Sequence, residues 1–292
     1  MAEKFNIYSM VTDRILAMMD NGVIPWHRPW RKEEMCVKRT TGEPYSFVNQ
    51  LLLSPDFDGT LESLNHGEFA TFKQIQAEGG KLKKGSKGLK VVFWKWYKVK
   101  GDSEDEEEER QVPVLRYYTV FNINDTDLEP KWQKPIEGAA DTAPEAQSIL
   151  ERYWDLEHIK VRHAGSEAYY RPNRDLIMLP RIDRFGETTE YYSTAFHESV
   201  HSTGHRSRLD RLSKVASFGS EEYSKEELIA EIGASALVSM CGLETESSFR
   251  NNAAYIQNWR NTIAKDNKLI VSAAGKAEKA VDRILNPIEM VV

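Results

Sequence analysis

Residues 197–205 read HESVHSTGH, placing histidines at 197, 201 and 205 and a glutamate at 198. On an α-helix His197 and His201 stand one turn apart on one face, so both imidazoles can grip a single cation. Glu198 is placed to take a proton from a water on that cation, the arrangement of zinc hydrolases. Such a site needs a third protein ligand. In the pattern HExxHxxGxxH a glycine breaks the helix and a third histidine follows three residues later. Gly204 fits, but Ser207 occupies the position of the third histidine. His205 comes too early to swing back over the cation, and is left with a hydrogen bond near the site or no part in it.

The third ligand should therefore come from another helix. The segment SKEELIAEIGASAL (224–237) offers Glu227 and Glu231 as candidates. Ser224 followed by Glu227 reads as a capping box, which would engage Glu227 at a helix start. Glu231, one turn further on among Leu228, Ile229, Ile232 and Ala234, must be paired or metal-bound if it is buried. The expected set is His197, His201 and Glu231 around zinc, with water in a fourth position and Glu198 as the catalytic base. Gly233 and Ala234 would let the two helices approach closely. The stretch NRDLIMLP (173–180) reads as an edge strand on which an extended peptide could pair. Tyr191, Tyr192 and Tyr223 are each able to place a hydroxyl near the reacting water.

A second chemistry lies in the front half. Between Lys81 and Lys100 there are eight lysines and no acid, interleaved with Phe93, Trp94, Trp96 and Tyr97. Flat rings beside ammonium groups suit a single nucleic-acid strand, whose bases stack while its phosphates are neutralised. In strand alternation Trp94, Trp96 and Lys98 share one face, and Phe93, Lys95 and Tyr97 the other. PWHRPW (25–30) and TGEPYSFVNQLLL (41–53) add further candidates. The expected strand-binding residues are Trp26, Trp30, Tyr45, Asn49, Lys83, Lys84, Lys87, Trp94 and Trp96. A sandwich strand with core aromatics and solubilising lysines is the competing reading.

These residues need elements to hold them. IYSMVTDRILAMMDNG has helical apolar spacing and stops at Asn21-Gly22. GLKVVFWKWYKVK (88–100) and PVLRYYTVFNIN (113–124) read as two strands, with the acidic run DSEDEEEER (102–110) as a solvated hairpin tip. EPKWQKPIEGAADTAPEAQS (129–148) lacks periodicity and reads as a linker. Beyond it come a helix, three short strands and, from about residue 188, an almost wholly helical stretch. The chain of 292 residues suffices for two compact domains. Its net charge of −6 is uneven: residues 1–100 carry +5 and the rest −11. A basic front half on an acidic protein points to a polyanionic partner for that half. No apolar run approaches a membrane span. With no visible signal peptide and only two cysteines, Cys36 and Cys241, a cytoplasmic location is expected.

Taken in order, these motifs resemble the ArdC-type antirestriction proteins of conjugative plasmids and related mobile elements, nearly end to end. The resemblance rests on PWHRPW, TGEPYSFVNQLLL, TFKQIQAEGGKLKKGSKG and YYTVFNINDT in front. At the back it rests on AYYRPNRDLIMLP, YYSTAFHESVHSTGHRSRLDR and EELIAEIGAS. It implies an α+β protein of two domains: a single-stranded-DNA-binding domain over 1–127, a linker over 128–148, and a zincin-like (gluzincin-type) metallopeptidase domain over 149–292. It further implies zinc or another divalent metal such as manganese, with the family's metal motif falling on His197, His201 and Glu231. The partners implied are single-stranded DNA and a host protein substrate, with no membrane, and the role is protection of incoming DNA from host restriction. Two functional readings stay open. In one the protein is an active peptidase brought to its target by DNA; in the other it shields DNA and its metal site is structural or little used. The intact Glu198 favours the first, because a structural site needs no base.

Overall fold

The computed structural model describes residues 5–28, 30, 35–54, 67–99, 110–132, 143–214, 221–243 and 253–288. The acidic run, apart from Arg110, and the middle of the expected linker lie outside the described residues.

The front part begins with α1 (Ile7–Asp20), capped by the Asn6 side chain and ended at Asn21, after which Gly22 takes φ 82°. Its apolar stripe buries Val11, Ile15, Met18 and Met19. Then follow β1 (Cys36–Lys38), α2 (Phe47–Leu53), β2 (Gly67–Ala70) and α3 (Phe72–Ala77). The last is opened by a capping box between Thr71 and Gln74. A long hairpin of β3 (Leu89–Val99) and β4 (Arg110–Asn122) completes a four-stranded sheet of order β1-β2-β4-β3. Among the described residues β3 is an edge strand of this sheet, paired with β4, Trp94 opposite Leu115 and Trp96 opposite Pro113.

The back part opens with α4 (Ala143–Leu156), followed by β5 (Lys160–His163), β6 (Tyr169–Arg171) and β7 (Leu176–Leu179). These strands form a small sheet of order β5-β7-β6, β5 parallel and β6 antiparallel to β7. The strand expected to be an edge, β7, is therefore the middle one, with both sides already hydrogen-bonded. The helices α5 (Thr188–Thr203), α6 (Glu221–Met240), α7 (Ala253–Lys265) and α8 (Leu269–Leu285) follow.

One large core joins the two parts. Trp26 and Trp30 are fully buried in it together with Val200, Leu237, Ile263 and Ala277. Ser235 donates from its hydroxyl to the Trp26 carbonyl, and the Trp30 N–H donates to the Ser239 hydroxyl. The front region thus packs its first helices against α7 and α8. A second, smaller core of Cys36, Tyr45, Leu53, Phe69, Val91 and Val120 belongs to the front sheet alone. Among the described residues no helix is long and apolar enough to cross a membrane.

Candidate metal centre and nucleic-acid face

His197 and His201 sit on the buried face of α5, one turn apart, with their Nε2 atoms 3.1 Å apart. Two nitrogens bound tetrahedrally at zinc's usual bond length would stand about 3.3 Å apart. The carboxylate that completes the group is Glu227. Its oxygens lie 3.5 Å from His197 Nε2 and 3.3 Å from His201 Nε2. One ligand atom from each of His197, His201 and Glu227 falls within a sphere of mutual distances under 4.8 Å. Glu231 stands on the other side of His197, 4.0 Å from Nδ1.

The structure brings Glu227, rather than the expected Glu231, within reach of both Nε2 atoms, and the reason is local. Helix α6 begins at Glu221, so Ser224 lies inside it rather than at its cap. Glu227 therefore lies inside the helix as well, with its side chain facing α5. Residues 223, 227 and 231 are spaced four apart and form one stripe of α6. The close approach that brings this stripe to the histidines depends on Gly233. A Cβ there would meet Val200 Cγ2 at 2.9 Å.

Each imidazole has a carboxylate on its second nitrogen. Glu231 faces His197 Nδ1, and buried Glu226 lies 3.5 Å from His201 Nδ1. Glu226 is itself fixed by Arg211, whose guanidinium donates to both of its oxygens at 3.0 and 2.8 Å. Arg211 also donates to the Val200 carbonyl and the Thr203 hydroxyl at the end of α5. Such outer partners fix the ring orientation of metal-binding histidines. Burial would lower the pKa of His201, but Glu226 and Glu227 outweigh it and hold it up at about 10. The same negative surroundings favour a cation between the rings. Glu227 is held far below the ordinary carboxylate range, against its burial, by His197 and His201.

Glu198 is 7% exposed. Burial pushes its carboxyl upward, the two imidazoles pull it back, and the Tyr170 backbone N–H on β6 donates to it. A buried carboxylate of raised basicity beside a cation site is suited to accept a proton. Of the three tyrosines, only Tyr223 reaches the centre, where its hydroxyl bonds to Glu227. Tyr191 is buried with its hydroxyl 3.0 Å from His163 Nε2, and Tyr192 is core. His205 stays out of the cluster, its Nδ1 2.7 Å from the Ser207 hydroxyl. Sequence reasoning missed Glu226, Arg211 and the Arg208–Asp175–Tyr170 group. Arg208 donates to the Ser202 carbonyl and to Asp175, tying the end of α5 to the β6–β7 turn. The spacing of Tyr223, Glu227 and Glu231 was the one signal that could have selected the right stripe.

On the front face the structure divides the expected strand-binding residues. Trp94 and Trp96 are 47% and 59% exposed on β3. Lys83, Lys84 and Lys87 are exposed on the loop before that strand, with Lys83 Nζ donating to the Asn124 carbonyl. The other four are corrected. Trp26 and Trp30 fill the joint core, Trp30 bonding its Nε1–H to the Trp26 carbonyl. Tyr45 is in the small core, and Asn49 exchanges hydrogen bonds with both backbone groups of Val92. Flanking prolines and aromatics at 25–30 describe a buried turn equally well, which is why sequence could not separate the two.

Residues 148–276 match the family model described as zincin-like metallopeptidase, and residues 5–121 match the N-terminal domain of the anti-restriction factor ArdC. Protein y4eC of Sinorhizobium fredii is 31% identical over 288 residues, covering 95% of this chain and 91% of y4eC. DNA primase TraC of Escherichia coli is 31% identical across 98% of this chain, which spans 20% of the primase's length. The metal-free crystal structure of the antirestriction protein ArdC from plasmid R388 superposes with a TM-score of 0.72 at 34% identity, covering 98% of this chain and all of that one. Its Mn(II)-bound structure superposes with the same TM-score and covers 96% and 97%.

Proposed function

This chain belongs to the ArdC family of antirestriction proteins, and from that premise we propose that it protects incoming DNA by combining single-strand binding with zinc- or manganese-dependent peptide hydrolysis. The observation that carries the hydrolytic half is the convergence of His197, His201 and Glu227 beside buried Glu198. Two imidazoles and one carboxylate suit zinc or a similar divalent ion, and a relative is known in an Mn(II)-bound form. The bound ion would act as a Lewis acid toward a water and a peptide carbonyl.

The chain's own residues would do the rest. Glu198 accepts the proton from the attacking water and returns it to the leaving amine. Glu226 and Glu231 hold the two imidazoles in orientation. Tyr223 directs its hydroxyl toward the place where negative charge develops on the carbonyl oxygen. β6, the antiparallel edge beside Glu198, offers backbone groups to an extended peptide. The nucleic-acid half is supported by the exposed rings of Trp94 and Trp96 beside the lysine-rich loop.

Glu198→Gln tests the division of labour. The variant keeps the metal and its affinity for single-stranded DNA but loses cleavage of host restriction proteins, read by mass spectrometry of the digested products. Cleavage at the wild-type rate would remove Glu198 from the reaction. Full protection of transferred DNA by the variant would leave shielding as the protective act.

A further inference from the structure

A groove of about 720 Å³ runs between the aromatic hairpin and helix α8 of the metallopeptidase domain. One wall carries Trp94 and Trp96; the other carries Gly275, Lys276 and Lys279. We infer that this groove seats a single nucleic-acid strand, its bases on the hairpin tryptophans and its phosphates on the α8 lysines, so that the strand-binding site is built from both domains. The inference rests on the single-strand-binding reading above and places the site.

Three observations support it. Side chains two residues apart on a strand stand about 6.8 Å apart, roughly twice the 3.4 Å charge spacing along one strand of stacked DNA. Trp94 and Trp96 on one face therefore suit an extended strand whose bases have come apart. Second, Lys276 and Lys279 lie on the exposed side of α8, and neither makes an ion pair among the described residues. Ammonium groups facing exposed aromatic rings across a cleft match the alternating base and phosphate of a single strand. Third, Gly275 lies mid-helix, where glycine is destabilising relative to alanine. No described residue stands within 4 Å of where its Cβ would be. No packing contact among the described residues asks for glycine there, whereas an occupant of the groove gains the room.

Glu278 and Asp282 line the same groove. Burial pushes both carboxyls upward, and Lys38 lies near Glu278. Their remaining charge opposes a phosphate, so Asp282→Asn should tighten binding.

Anisotropy of labelled oligothymidine with the full chain tests the assignment. Lys276→Glu/Lys279→Glu should raise Kd about tenfold or more at low salt and flatten its salt dependence. Gly275→Ala should weaken binding somewhat and Gly275→Leu strongly, each with an unchanged or raised melting temperature. Loss of affinity in Trp94→Ala with wild-type affinity in Lys276→Glu/Lys279→Glu and in Gly275→Leu would confine the site to the hairpin and overturn the composite groove. Absence of oligothymidine binding by the wild type would instead overturn the strand-binding reading itself.

Discussion

At the residue scale the metal centre turns on which carboxylate faces which nitrogen. Glu227 lies within 3.5 Å of both Nε2 atoms, whereas Glu231 approaches only Nδ1 of His197. Glu227→Ala should therefore abolish stoichiometric metal in the purified protein. Glu231→Ala should keep the metal but weaken it by about 10–100-fold, the usual cost of losing an outer partner. Elemental analysis followed by competition with a chelator separates the two outcomes. A Glu231→Ala protein emptied of metal beside a loaded Glu227→Ala protein would reverse the assignment.

At the element scale two contacts decide whether α5 meets its partners. The first is Gly233 against Val200. Gly233→Leu should cost about 1–3 kcal/mol by overpacking. It should also lower metal affinity, because pushing α6 away moves Glu227 from the histidines. Denaturant titration with and without metal reads both effects. The second contact is Arg208, buried beneath the β6–β7 turn and paired with Asp175. Asp175 holds an uncommon left-handed φ of 45°. Burial would raise its carboxyl, but Arg208 and Tyr170 outweigh burial and hold it below its ordinary value. A depressed carboxylate stabilises the fold above its unfolded pKa of about 3.9 and loses that contribution as pH falls through the folded value. Arg208→Met should cost roughly 3 kcal/mol at neutral pH, the low end for a broken buried pair, since Asp175 keeps 24% of its side chain in solvent. The gap between variant and wild type should shrink as pH drops below about 4. A gap independent of pH would mean that Arg208 acts through packing alone.

At the scale of the whole molecule the two domains are not independent bodies. Trp26 and Trp30 belong to the front half by sequence, yet they pack against residues of α6, α7 and α8. A fragment ending at residue 127 would lack the helices that cover both rings. The fragment should show weak tertiary signals in near-ultraviolet circular dichroism and bind hydrophobic dyes, while the full chain does neither. In the full chain Trp26→Ala should cost about 3–5 kcal/mol and unfold both halves in one transition. Separate transitions would mean that the shared core does not couple them.

Much of this protein was legible along the chain. The helical spacing of His197 and His201 with Glu198 beside them, the paired aromatic strands and the helical back half all follow from short-range periodicity. Backbone geometry alone turns such periodicity into shared faces. The family followed from the order of several motifs rather than from any one of them. What the chain could not reveal were facts of relative placement. Glu227 and Glu231 are both carboxylates on one stripe, and only the start of α6 and its distance from α5 select between them. Trp26 and Trp94 are the same residue beside similar neighbours, and only the packing of α6, α7 and α8 buries one and leaves the other in solvent. Ligation and burial depend on atoms far apart in sequence meeting within a few ångströms, and local pattern carries no information about those distances.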